Sequence, residues 1–76
     1  MAETEYYAVR PDGSPVTRKS HRLYTHLMTY RTQWPDGYSA WTNRWCSRPD
    51  LAEKERRAAV SLPHTAEAHV LEVQVR

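Results

Sequence analysis

Both glycines of this chain stand in the same local sequence, Pro-Asp-Gly, once at Pro11-Asp12-Gly13 and again at Pro35-Asp36-Gly37. In each, proline presets the φ of a tight turn and glycine accepts a positive φ. The residues around them are strand formers. Glu5-Tyr6-Tyr7-Ala8-Val9-Arg10 leads into the first turn, and Tyr38-Ser39-Ala40-Trp41-Thr42-Asn43-Arg44-Trp45 leaves the second. Two hairpin turns of one kind are therefore expected.

Leu23 to Arg31 carries two patterns at once. Leu23, Tyr24, Leu27 and Met28 fit a helical spacing, while Tyr24, Thr25, Thr29, Tyr30 and Thr32 favour a pleated surface. The turn that follows needs an incoming strand, so the segment reads as strand. Ser47-Arg48-Pro49-Asp50 reads as a helix start, with Ser47 as N-cap, Pro49 in the first turn and Asp50 returning the capping bond. On that helix Leu51, Ala58, Ala59 and Leu62 share a side, Asp50 to Lys54 and Glu53 to Arg57 are i, i+4 ion pairs, and Pro63 closes it. Val70 to Val75 alternates, with Leu71, Val73 and Val75 on one face.

The expected fold is α+β, in the order β-β-β-α-β, with a further short strand near Val16. It is a single domain over 1–76, a small antiparallel sheet of three to four strands with one helix packed on one face. The chain has 76 residues and 39% apolar residues, so a domain of this size hides only about 60% of its unfolded surface. Its three Trp and five Tyr must supply much of the buried area, with Trp41 and Trp45 assigned to the core. One helix covers one sheet face, which leaves aromatic side chains on the other. Such a face commonly marks a partner site or a homodimer contact.

Net charge is only +2, but its distribution is uneven. Tyr6 to Arg48 holds seven bases and two acids, net +5, and the remainder is −3. The densest basic run is Arg18-Lys19-Ser20-His21-Arg22. Arg18, Lys19, Arg22, Arg31 and Arg44, with Trp34 as a stacking platform, are the candidate nucleic-acid contacts. Phosphates are bound by Arg and Lys, and a three-stranded sheet can enter a major groove. The alternative is a protein-binding inhibitor or regulator of a host or defence factor, using an open Tyr and Trp face rimmed by Arg.

Enzyme chemistry finds little footing here. There is no Gly-rich phosphate loop, nucleophile elbow or carboxylate pair spaced for acid-base work. His21, His26, Cys46, His64 and His69 do not have the spacing of a zinc site. Cys46, just before the helix, could be activated by the helix dipole, although Trp45 beside it points to a partly buried, inert thiol. No cofactor or metal is expected. One cysteine leaves no internal disulfide, and no stretch is long and apolar enough for a membrane span, so a cytoplasmic protein with no membrane association is expected.

The run from Arg18 to His26, the following Pro-Asp-Gly turn, Ser47-Arg48-Pro49-Asp50-Leu51-Ala52 and the alternating C-terminal strand together resemble small uncharacterised proteins of actinobacteria and their phages. The resemblance implies a phage or mobile-element origin and a cytosolic host setting. It carries over no activity and no site residue.

Overall fold

The computed structural model describes residues 3–76. Over these residues the chain is an α+β protein of six strands and one helix. The elements in order are β1 (Thr4–Val9), β2 (Pro15–Ser20), β3 (His26–Gln33), β4 (Ser39–Cys46), α1 (Pro49–Val60), β5 (Thr65–Glu72) and β6 (Gln74–Val75). The further strand near Val16 is β2, and Leu23 to Arg31 is strand from His26 onward, with Leu23 to Thr25 in the preceding loop.

The two Pro-Asp-Gly turns are copies of each other. Gly13 and Gly37 have φ of 88° and 95°. Their amides donate to the carbonyls of Arg10 and Trp34 at 2.8 and 3.0 Å, and the amides of Arg10 and Trp34 donate to the carbonyls of Ser14 and Tyr38. Asp12 and Asp36 each accept, at 3.0 Å, the amide two residues on. Both turns thereby fix the register of the strands they join.

The strands form two antiparallel sheets, in the orders β2-β1-β6 and β4-β3-β5. One strand passes between them. The alternating segment expected at 70–75 begins earlier, at Thr65, and breaks at Val73, whose amide donates to the Thr25 carbonyl. Up to Glu72 it pairs with β3, and beyond the break Gln74 and Val75 pair with Tyr7 and Tyr6 of β1. A two-residue strand is too short to show its own signal in the sequence.

This switch corrects the expectation of an open sheet face. In the ladders of β3, the odd-numbered residues Leu27, Thr29 and Arg31 share a face with Trp41, Asn43 and Trp45 of β4 and with Glu67, His69 and Leu71 of β5. The β1 sheet lies over that face. Arg10 sits 5.3 Å from the Trp41 ring, and Tyr6 makes an edge contact at 5.4 Å with Tyr24, itself 6.0 Å from Trp45. Helix α1 takes the other face, where Ala58, Ala59 and Leu62 meet Met28 and Tyr30.

The core is built of smaller residues than expected. Tyr6, Ala8, Leu27, Met28, Thr29, Cys46, Ala52 and Ala59 are buried, whereas Trp41 and Trp45 are half-buried at the sheet margin. On α1 the buried pair is Ala52 and Ala59, while Leu62, beyond the helix end, is about half exposed. Ser47 is not the cap. Arg48 occupies that position with no side-chain capping bond, because Pro49 opens the helix one residue later than Ser47 could reach. Glu53 pairs with Arg57 as expected and also with Arg56, and the Arg56 hydrogen bonds hold the Glu53 carboxyl down at about 2. Asp50 pairs with Arg48, at 3.4 Å.

The loop from α1 to β5 passes through His64 at φ 67°, the left-handed region that an L side chain enters at a cost. Its carbonyl accepts the Gln33 amide at 2.8 Å, a bond that any residue with this backbone would keep. His64→Gly is expected to stabilise the protein by about 0.5 to 1 kcal/mol, the relief of that strain less the entropy glycine adds to the unfolded chain. A urea titration measures it as a higher midpoint with an unchanged slope.

Candidate functional site

The end of β4, the β2–β3 loop and the first turns of α1 meet at one end of the molecule. They enclose a cleft of about 530 Å³. Leu23, Tyr24, Trp45 and Leu51 give it apolar walls, and Arg22, Arg44 and Glu55 bring charge to it.

Each of these side chains is placed by an identifiable local cause. Ser20 Oγ accepts the Arg22 amide at 3.0 Å, and the buried Tyr6 hydroxyl donates to the Arg22 carbonyl at 2.8 Å, so the loop is tied at both backbone groups of Arg22. Arg18 is the β2 partner of Tyr6 and shares its face, which brings the guanidinium 5.6 Å over the Tyr24 ring. The Trp45 ring lies 6.0 Å from that of Tyr24, tilted by 48°. Leu51 and Glu55, i and i+4 on α1, reach the cleft from one helix face. Arg44 Nε stands 3.9 Å from Glu55 Oε2 and remains largely exposed.

Of the six residues singled out from the sequence, Arg22 and Arg44 line the cleft, and Arg18 lies beside it over the ring of Tyr24. Lys19, next to Arg18, points to the opposite face of the small sheet, where it lies 3.9 Å from Glu5. Arg31 is held by Glu67, with Nε 2.9 Å from Oε2, and by Gln33, so its charge is already compensated. Trp34 stacks on Tyr38 at the turn beyond the far end of β3, roughly 24 Å away along an eight-residue strand at about 3.4 Å per residue. Arg31 and Trp34 are therefore not part of this cleft.

Cys46 lines the cleft floor as a buried thiol. Burial first, and the Glu55 carboxylate second, push its pKa above the ordinary thiol value, with Arg44 opposing. The thiolate that nucleophilic chemistry requires is disfavoured at this position. Among the described residues no group of three His, Cys, Asp or Glu side chains is arranged to hold a metal ion. Among the described residues no helix is long and apolar enough to cross a membrane.

Tyr24, Leu51 and Glu55 were not legible as site residues. Tyr24 follows the basic run directly, a weak cue. The i, i+4 spacing of Leu51 and Glu55 shows that they share a face but not what that face meets. Comparison of the chain with protein-family models, curated proteins and solved structures finds no match.

Proposed function

We propose that this protein is a non-enzymatic nucleic-acid-binding accessory protein that seats a single-stranded segment at the cleft. The observation that carries this reading is the convergence of Arg18, Arg22 and Arg44 around the Tyr24–Trp45 pair. Guanidinium groups neutralise phosphates, and a partly exposed aromatic pair offers a base a stacking surface, the combination used by proteins that hold single strands. The faces of the larger sheet are occupied by α1 and by the β1 sheet, so contact falls to this end and not to a sheet face laid in a groove.

The test is fluorescence anisotropy with a labelled single-stranded oligonucleotide across a salt series. Three phosphate contacts predict a slope of log affinity against log salt of about −2, or a loss of roughly twentyfold between ~50 and ~200 mM salt. Arg22→Ala combined with Arg44→Ala is expected to bring the slope to about −0.7 and to weaken binding whatever the base sequence. Both residues are exposed, so the fold is retained. Salt-independent binding, or none, sinks this reading. Leu23, 78% exposed on the cleft rim, would then favour a protein regulator whose partner inserts an apolar side chain beside acidic ones.

A further inference from the structure

Strand β4 is an outer strand of its sheet, and its free edge is unlike the others. Three hydrogen bonds fix which way its backbone groups point. The Trp34 amide bonds across to Tyr38, the Gln33 amide to His64 and the Val73 amide to the Thr25 carbonyl. The alternation of an antiparallel ladder then assigns the even-numbered residues of β3 to β4 and the odd-numbered ones to β5. On β4, Ala40, Thr42 and Arg44 exchange bonds with β3, while the amides and carbonyls of Trp41, Asn43 and Trp45 face outward.

The other sheet edges carry features that discourage pairing. Strand β2 begins with Pro15 and bears Arg18 and Lys19, β6 is only two residues long, and the β5 ladder is interrupted opposite Arg31 and Thr32 and carries Glu67 and Glu72. Strand β4 has no proline, no lysine and no register shift, and its one charge is Arg44. It also places Trp41 and Trp45 symmetrically about Asn43, in Ala40-Trp41-Thr42-Asn43-Arg44-Trp45-Cys46. A two-fold axis through an antiparallel strand pair centred on Asn43 sets residue 41 of each copy against residue 45 of the other, which brings tryptophan to tryptophan.

We infer that β4 pairs with β4 of a second copy of this chain, antiparallel and centred on Asn43, to form a six-stranded sheet across a two-fold dimer. In this register Asn43 faces its own equivalent, and each Trp41 lies beside the other copy's Trp45. Thr42 faces Arg44, so no like charges oppose, as they would with the axis one residue further on. All three outward residues become hydrogen-bonded pairs. Aromatic cross-strand pairs at both ends add to that backbone ladder. This inference is argued from the edge of β4 and not from the nucleic-acid reading, although Arg44 and Trp45 take part in both.

Light scattering across a wide range of protein concentration tests it, with amide hydrogen exchange read residue by residue. The expected mass at high concentration is twice the 8.9 kDa of the chain. The amides of Trp41, Asn43 and Trp45 should become slow to exchange as the dimer forms. Asn43→Pro removes an outward amide and no backbone bond to β3, but also the side-chain Oδ1 that accepts the buried Thr29 hydroxyl at 2.8 Å, so it should abolish the dimer and leave a folded monomer of lower stability, checked by circular dichroism. A protein that is monomeric at every concentration overturns the inference. So does a dimer in which those three amides still exchange at the monomer's rate, or one that Asn43→Pro leaves intact.

Discussion

Leu27→Ala is expected to lower stability by about 3 to 4 kcal/mol and the melting temperature by roughly 15 to 25 °C. Leu27 has no exposed surface and lies on the middle strand of the larger sheet, level with Trp45 on one side and Leu71 on the other. Those neighbours are held by two ladders, and the β1 sheet lies across the same face, so the space left by the lost carbons cannot close up. A chain of 76 residues has a total stability on the order of 4 to 11 kcal/mol. One substitution therefore removes a large part of it. Leu23→Ala, the same chemical change four residues earlier, should move stability by no more than about 0.5 kcal/mol, because Leu23 is 78% exposed. Paired chemical denaturation curves check both. Equal effects would mean that β1 does not close over Leu27 as described.

That contrast marks the limit of what the sequence discloses. Both Pro-Asp-Gly turns, the strands they join, the helix opening at Pro49 and the α+β class were legible, because each rests on residues within a few positions of one another. The periodicity of Leu23 to Arg31 did not reveal that Leu27 would be sealed and Leu23 left in solvent, since spacing tells which side chains share a face but not what covers it. The cover comes from the strand that leaves one sheet at Val73 and enters the other, a pairing between Tyr6 and Val75 across nearly the whole chain. The candidate site follows the same rule. Arg18 and Arg22 lie together in sequence and stay together in space, whereas the charge of Arg31 is met by Glu67, 36 residues away. Trp41 and Trp45 are large and apolar enough for a core, yet a strand at the sheet margin leaves them half-buried.

Tyr6 links that long-range closure to the cleft, and its substitutions should separate packing from positioning. Tyr6→Ala is expected to cost about 3 to 5 kcal/mol, as befits a buried ring in edge contact with Tyr24, and to leave little folded protein at 37 °C. Tyr6→Phe keeps the ring and removes only the hydroxyl that donates to the Arg22 carbonyl, so its cost is about 1 kcal/mol. The ring change should thus exceed the hydroxyl change severalfold in stability. In binding, the hydroxyl matters differently. Without it the Arg22 loop keeps the Ser20 tie alone, and the guanidinium samples positions away from Arg44 and Trp45. Tyr6→Phe should therefore weaken oligonucleotide binding a few-fold at a temperature where the variant is fully folded, with the salt slope unchanged because the number of guanidinium groups is unchanged. Anisotropy titrations beside a thermal melt distinguish the two effects. Full affinity in Tyr6→Phe would show that Arg22 is positioned by the β2–β3 turn itself, and that the buried hydroxyl serves the fold alone.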